Sequence, residues 1–477
     1  MSIAHVVLSD IHLGARDSIM THVDANDEIA EGPSPVLASF ANAFGETFKG
    51  HKPQLILLGD ALDLGLSPFG DVSKSFLHLL DALYPVGGPD LFAREIIYLA
   101  GNHDHHLWRM AQDNGFLDAV EAGEIPEDLA STSCIFGTPS RRCRLMESLL
   151  RHRPHLADAT VKIAYPNWGI ADKALNRAVV LHHGHYLDGM YRALSNMRGF
   201  LQETDPRPDT IAQLEQENGP WIDFLWSDLG SAGDVGDEVG TLYATMLSAG
   251  ASHDFAESLS RRIMGGLHSK LGINPKMELK YGITLDNLIR AGVDLTAGRA
   301  AERQRDGHGH VLGEDEIDDL CWYLSKPIAL EMAQELGEIP REVNFVFGHT
   351  HKPFQDELKV DGFELPVGVF NTGGWVLDEP TLMPVQGCAA MLISDELEVA
   401  SLRLFNDPTD GHMAPVRVEG SGRLCKFVEE TSEAVTGASH HWAEFSDIVH
   451  RRIIEEADKR TAKLLENSEN AYREAAE

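Results

Sequence analysis

Short apolar runs, rich in Val, Ile and Leu, recur along the chain and mostly end in polar residues. Apolar runs without alternation are typical of strands that are covered on both faces of a sheet. Helical patterns lie between the early runs, at residues 35–48 and 73–83. Strands that alternate with helices indicate an α/β protein. The predicted strands are residues 3–8, 54–58, 95–99, 178–181, 342–347, 366–370, 389–393 and 399–404.

The middle of the chain has a different pattern. It is mostly helical, with Trp221, Phe224 and Trp226 in one apolar stretch. A connection of this length cannot be a plain loop in a compact domain, so we predict an inserted helical cap. A charged helical pattern covers residues 440–475. The predicted domains are a core (1–186 and 341–405), the helical cap (187–340) and a C-terminal, mostly helical extension (406–477).

Composition narrows the range of partners. The chain has 477 residues, 74 acidic and 40 basic, with a formal net charge of -34. That charge argues against broad docking on nucleic acid or on an anionic membrane, because both require a basic surface. A small anionic substrate remains compatible with it, since bound dications can make a pocket positive inside an acidic protein.

The cysteine pattern and the absence of long apolar segments bear on the compartment. The five cysteines are scattered and form no C-x-x-C pair, so neither a disulfide framework nor a thiolate zinc site is predicted. No basic segment followed by an apolar stretch opens the chain, and no run of about twenty apolar residues occurs, which predicts neither a signal peptide nor a membrane span. We expect a soluble, cytoplasmic protein.

Polar segments with the chemistry of metal ligands follow five of the predicted strands. Residues that alternate at a strand end point the same way, so a pair such as Asp10 and His12 can share one ion. Each segment alone is common in proteins. Five of them in order, at the strand ends where open α/β sheets bind ligands, are not explained by coincidence. The segments contain Asp10 and His12; Asp60 and Asp63; Asn102, His103 and Asp104; His182, His183 and His185; and His349 and His351.

This series resembles the motif set of the calcineurin-like metallophosphoesterase superfamily, which reads D-x-H, G-D-x-x-D, G-N-H-D/E, H and G-H-x-H. The resemblance covers roughly residues 1–186 and 341–405. It implies a four-layer α-β-β-α sandwich, here with a large inserted helical cap, and a site for two divalent metal ions. It also implies a metal-dependent phosphoesterase.

The resemblance assigns a ligand set to each ion, with the Asp60 carboxylate bridging the two. His183 is preferred to His182, because His183-Gly184-His185 matches the His-Gly-His form of the fourth segment and leaves His182 in the strand. The first ion would take Asp10, His12, Asp60 and His351, and the second would take Asp60, Asn102, His183 and His349.

The donor types suggest the metal and the chemistry. Imidazole, carboxylate and amide donors suit borderline divalent ions, with manganese as the first expectation and iron, zinc or cobalt as alternatives. Two ions about 3.5–4 Å apart can clamp the attacking and the leaving oxygen, with a metal-activated hydroxide as nucleophile. By resemblance, His103 acts as an acid or charge stabiliser, and Asp104 orients its ring. Asp63 is expected to support the loop.

Four further residues are candidates for contact with substrate. Arg16 follows the first motif and can contact a phosphate, with a solvated surface position as the alternative. Arg141 and Arg142 begin the main basic cluster and can bind a second phosphate or an acidic headgroup, unless they belong to an ordinary charged helix face. By resemblance, His185 is expected to lie beside the second metal ion. His308 and His310 are better explained by a solvated loop than by a further metal site.

The expected reaction is hydrolysis of a phosphodiester or pyrophosphate bond in a small substrate, because a large cap restricts access. The stretch from His183 to Asp188, followed by Met190, Tyr191 and Leu194, distantly resembles bacterial nucleotide-lipid pyrophosphatases, so the substrate can be nucleotide- or lipid-linked. The alternative is a phosphomonoesterase with the same site. A nuclease and a non-catalytic metal-binding scaffold are less favoured. The sequence does not decide the oligomeric state.

Overall fold

The fold is known from a computed structural model. Most of the predicted cap lies outside the residues that the structure describes, and so do Met190, Tyr191, Leu194, Phe224, Trp226, His308 and His310. The described residues are 2–127, 129, 135–137, 139, 141–187, 209–223, 278–280, 283–284, 312, 314–377, 385–406, 414–422 and 425–474.

The predicted strands are present, with small changes at their ends. Seven strands were not predicted, because they are short, lie at sheet edges or, like β5, alternate buried residues with partly exposed ones. The strands are β1 (Ile3–Leu8), β2 (Gln54–Leu58), β3 (Glu95–Leu99), β4 (Arg141–Arg142), β5 (Thr160–Ala164), β6 (Asn167–Asp172), β7 (Arg177–His182), β8 (Glu278–Lys280), β9 (Ile283–Thr284), β10 (Glu342–Phe347), β11 (Phe354–Leu358), β12 (Val367–Asn371), β13 (Gly387–Ser394), β14 (Val399–Asn406) and β15 (Arg417–Glu419).

The described helices flank these strands. A short π-helical segment, Leu324–Ile328, joins the two helices that precede β10. None of the described helices is long and apolar enough to cross a membrane. The helices are α1 (Pro35–Thr47), α2 (Phe69–Leu83), α3 (His105–Glu121), α4 (Arg144–Leu150), α5 (Ile211–Ile222), α6 (Glu314–Tyr323), α7 (Ala329–Leu336), α8 (Lys426–Gly437) and α9 (Ser439–Glu474).

Two sheets form the centre of an α/β sandwich. The first has the order β15-β14-β13-β1-β2-β3-β5-β4, and the second has the order β11-β12-β10-β7-β6. Their inner faces share one apolar cluster, to which Val7 and Ile56 contribute from the first sheet and Val179 and Leu181 from the second. The neighbouring residues on each strand point to the helices, because side chains alternate along a strand.

Helices cover the outer faces of both sheets. The α1 helix begins after Ser34, whose hydroxyl accepts the Leu37 N–H (3.1 Å), and Pro35 occupies its first turn. Its residues Leu37 and Phe40 are fully buried and belong to the outer core. On the other side, Tyr323 at the end of α6 contacts the Phe345 ring of β10 (centroids 6.1 Å apart). The four-layer α-β-β-α arrangement follows from these contacts.

The C-terminal segment is built into the core layers. Its first strand, β15, pairs with β14 at the edge of the first sheet. The α9 helix packs on α1, where the Trp442 indole N–H donates to the Thr47 hydroxyl (2.9 Å). One turn later the buried Phe445 ring lies 6.3 Å from that of Phe40. The segment predicted as an extension therefore completes both a sheet and a helical layer.

We expect Phe445→Ala to lower the free energy of unfolding by about 3–5 kcal/mol, because it removes a fully buried ring from the α1–α9 contact. Urea denaturation followed by circular dichroism measures this change. Ile454→Ala is the matched control, since Ile454 is largely exposed on the same helix and should change stability by no more than about 0.5 kcal/mol. Equal effects of both substitutions would show that α9 is not part of the core.

Candidate metal centre

The five polar segments of the sequence meet at one edge of the sandwich. The strands β1, β2 and β3 are parallel, and so are β7 and β10, so the carboxyl ends within each set lie at one edge. Backbone hydrogen bonds join the loops that follow them. The His12 N–H donates to the Asp60 carbonyl (2.8 Å), and the Gly348 N–H donates to the His183 carbonyl (2.7 Å). The His349 N–H donates to the Asp10 carboxylate (3.0 Å).

One group of candidate ligands consists of Asp10, His12 and His351. One ligand atom of each lies within 4.8 Å of the other two. His351 Nε2 is 3.4 Å from Asp10 Oδ1, and the His12 and His351 rings are 5.4 Å apart. These residues were predicted as ligands of the first ion, and the structure brings them together.

A second group consists of Asp60, His183 and His349, with their ligand atoms again within 4.8 Å of one another. His183 Nε2 is 3.1 Å from Asp60 Oδ2 and 3.2 Å from Asn102 Oδ1. Asp60 Oδ2 also lies 4.0 Å from His12 Nε2 of the first group. Asp60 thus stands between the two groups, where the sequence placed a bridging carboxylate.

The two adjacent histidines, His182 and His183, have different surroundings. His183 Nδ1 donates to the Leu58 carbonyl (3.0 Å), which leaves Nε2 as the ring atom that faces Asp60. His182 Nδ1 accepts the Gly184 N–H (2.8 Å), and its ring packs 5.0 Å from that of Tyr323. This arrangement supports the choice of His183 as ligand.

The backbone around the site is strained. Among the described residues, eight non-glycine residues have positive φ, and five of these are candidate ligands. Such conformations cost energy and persist where the surrounding structure imposes them, often at functional sites. The five are Asp10 (φ 49°), His12 (48°), Asp60 (48°), His349 (70°) and His351 (54°).

The residues of the centre fit divalent cations. His12 Nε2 is buried and has no hydrogen-bond partner among the described residues, as expected for an atom that binds a metal. Close backbone packing also requires glycine here, because a Cβ on Gly59 (φ 77°) would collide with the His183 ring. Carboxylate, imidazole and amide donors together suit borderline divalent ions.

The charges in the site favour bound cations as well. Burial opposes ionisation of Asp60, but the neighbouring imidazoles of His183 and His103 hold its pKa well below the usual value. Burial also acts to lower the pKa of His183, yet the carboxylates of Asp60 and Asp10 raise that pKa to about 9. The carboxylates therefore stabilise positive charge in a buried site.

His103 is oriented by a different carboxylate from the one that the sequence suggested. Its Nδ1 bonds to Asp63 Oδ1 (2.8 Å), an atom that also lies 3.8 Å from His12 Nδ1. The prediction that Asp104 orients this ring is wrong. The side chain of Asp104 turns inward, where it accepts the Gly101 N–H (2.6 Å) and the Tyr98 hydroxyl. Asp63 is the second Asp of the G-D-x-x-D motif, and this motif was the sequence signal for the partner of His103. Asp63 had been expected only to support the loop.

Asp104 is a structural residue of the loop that carries His103. Burial, together with the nearby Asp60 carboxylate, raises the pKa of Asp104 to about 6. Its second oxygen accepts the Leu62 N–H at 3.3 Å, which ties the β3 loop to the β2 loop. Its adjacency to His103 in the sequence therefore does not bring it to the His103 ring.

The four candidate substrate contacts all have other partners. Arg16 pairs with Asp71 (2.8 Å), and Arg142 pairs with Glu147. The Arg141 guanidinium lies 5.3 Å from the centre of the Trp108 ring. His185 is fully buried, with its Nε2 3.1 Å from the Tyr165 hydroxyl. As substrate contacts, all four remain predictions.

The fold and the site define a metal-dependent phosphoesterase. The sequence profile of the calcineurin-like phosphoesterase family matches residues 5–265, more than half of the chain. The chain therefore belongs to this family, whose members are binuclear metal-dependent hydrolases. The matched stretch ends before His349 and His351, which the structure adds to the site. A search of curated proteins finds no significant match.

We expect His183→Ala to lower the metal content from two ions per chain to about one, because it removes a ligand of the second group. His182→Ala should retain two ions, since that ring packs in the β7 strand. Plasma emission spectroscopy of dialysed protein measures the content, and circular dichroism confirms that both variants are folded. The reverse result would assign the ligand to His182.

We expect Asp63→Asn to lower kcat by about 10–100-fold while both metal ions remain bound, because a neutral amide at this position no longer supports the proton-donating form of the His103 ring as the carboxylate does. Asp104→Asn is the comparison, and it should mainly lower the melting temperature, since its contacts are to the loop. Steady-state kinetics and metal analysis distinguish the two. A greater kcat loss for Asp104→Asn, with stability unchanged, would restore Asp104 as the orienting residue.

Proposed function

We propose that this phosphoesterase hydrolyses a phosphodiester or pyrophosphate bond of a small substrate that is nucleotide- or lipid-linked, with manganese as the preferred metal. The observation that carries the proposal is the pair of ligand groups with Asp60 between them and His103 beside them. When bound, two divalent ions supply Lewis acidity and activate a water molecule as the nucleophile.

Residues of the chain supply the acid for the leaving group and hold it in position. Asp63 accepts the Nδ1–H of His103, so Nε2 is the atom that can deliver a proton to the leaving oxygen. The His103 backbone N–H donates to Asp60 Oδ1 (2.8 Å), which fixes the position of this turn relative to the ligand groups. An acid held in this way assists departure of an alkoxide or phosphate leaving group.

The surroundings of the site support a small substrate. Helix α5 of the inserted region packs against α3, and the end of α6, in the helical layer over the second sheet, packs on His182. A duplex or a folded protein would need a more open approach. The net charge of -34 argues in the same direction, because binding to nucleic acid requires a basic surface. We propose a cytoplasmic location, since the scattered cysteines suit a reducing compartment.

We expect manganese-dependent hydrolysis of bis-p-nitrophenyl phosphate, at a higher kcat/KM than that of p-nitrophenyl phosphate. The chelator EDTA should remove the activity and Asp60→Asn should abolish it, because Asp60 joins both ligand groups. Release of p-nitrophenolate at 405 nm is a suitable assay, with Asp356→Asn as a control, since this residue lies on β11 outside the ligand groups.

Faster turnover of p-nitrophenyl phosphate would instead identify a phosphomonoesterase. If the folded protein binds two ions but hydrolyses neither compound, its activity is restricted to a more specific substrate. Folded protein that binds no metal would contradict the proposed function.

A further inference from the structure

The inserted helix α5 is attached to α3, the helix that begins directly after Asn102, His103 and Asp104. Its residue Glu215 accepts hydrogen bonds from Trp108 Nε1 (2.8 Å) and Gln112 Nε2 (3.3 Å). Glu215 is only 7% exposed. A buried carboxylate contributes little net stability compared with an apolar contact of the same size. Its two directed hydrogen bonds do, however, fix the orientation of the two helices.

A second carboxylate secures the first turn of α3. Asp223, directly after α5, lies 2.6 Å from Nδ1 of His105 through its Oδ1 atom. His105 is 3% exposed and stands two residues after His103. His105 and Trp108 are three residues apart, so they share one face of α3. Two attachments on that face fix the rotation of α3 about its axis.

The same face of α3 rests on Tyr165. Its ring lies 4.9 Å from that of His105 and is stacked 5.6 Å from that of Trp108. The Tyr165 hydroxyl lies 3.1 Å from His185 Nε2 and also bonds to Tyr186 (2.7 Å). Tyr165 thus connects α3 with the loop of the fourth segment.

That loop carries a ligand of the second group. The His185 ring is 5.6 Å from the ring of His183. Contacts therefore run from α5, through α3 and Tyr165, to His185 beside His183, and α3 itself begins two residues after His103.

We propose that Asp223 and Glu215 are positioning residues, which set the orientation of α3 and thereby the place of His103 against the ligand groups. The inserted region then contributes to catalysis through the attachment of α5 to α3. This inference rests on the proposed function, because His103 is the acid of that reaction. Displacement of a catalytic group by about 1 Å can lower a rate by about 10²-fold.

The test compares Asp223→Ala and Glu215→Ala with conservative and control variants in the full-length, manganese-loaded protein. We expect each alanine variant to lower kcat by about 10-fold or more, with KM changed by less than about threefold and two ions retained. Asp223→Asn should restore most of kcat, because the amide oxygen still accepts from His105. Gln213→Ala, on the exposed face of α5, should equal the wild type.

A double-mutant cycle tests the connection through Tyr165. Tyr165→Phe keeps the ring and removes the hydroxyl that bonds to His185 and Tyr186. If α5 acts through this contact, the effects of Asp223→Ala and Tyr165→Phe on kcat should be non-additive. Additive effects would overturn the role of Tyr165. A lower melting temperature in Asp223→Ala and Glu215→Ala with unchanged kcat would overturn the inference as a whole.

A readout without turnover separates this inference from the proposed function. In zinc-loaded protein with labelled histidines, the ring resonance of His103, assigned with His103→Gln, should shift in Asp223→Ala but not in Gln213→Ala. A shift in protein that hydrolyses no phosphoester would contradict the proposed function and support the positioning role. An unchanged resonance in an active enzyme would contradict the positioning role alone.

Discussion

The buried carboxylate of Asp60 is the point at which the two sheets and the ligand-bearing loops meet. Its Oδ1 accepts the backbone N–H of His103 at 2.8 Å, and its Oδ2 lies 3.1 Å from His183 Nε2 in the second sheet. A charge buried this deeply is costly unless opposite charge compensates it. The surrounding imidazoles supply part of that compensation, and bound dications would supply the rest. Three features are consistent with such a cation site. They are the strained backbone, the close contacts of glycine with ligand side chains, and the buried His12 Nε2 atom, which has no hydrogen-bond partner among the described residues.

The apolar core makes this arrangement possible. Continuous Val, Ile and Leu runs hold the strands rigidly between two helical layers, so that their ends lie at fixed positions on one edge. Loops that leave rigid strands can hold residues at positive φ, because the strain is offset by packing elsewhere. The buried residues of each strand therefore contribute stability, and the loop that directly follows the strand carries the ligand residues.

The sequence allowed the core strands and the ligand groups to be predicted, because both depend on local patterns. Apolar runs indicated β1, β2, β3, β7 and β10, and the polar residues after them indicated the site. The edge strand β11 and the interior strand β5 escaped prediction, since their polar residues resemble those of loops. The partner of His103 could not be predicted from adjacency, because the inward turn of Asp104 depends on tertiary contacts. The attachment of α5 to α3 likewise depends on residues more than a hundred positions apart, such as Trp108 and Glu215.

The position of β1 has a consequence for biosynthesis. This strand lies between β2 and β13, and Ile3 pairs with Ser394. The β1 strand therefore cannot pair with β13 until Gly387–Ser394 has been made. Contacts of such large sequence separation slow folding. The ligand groups also need His349 and His351, so they can be completed only after these residues have been made.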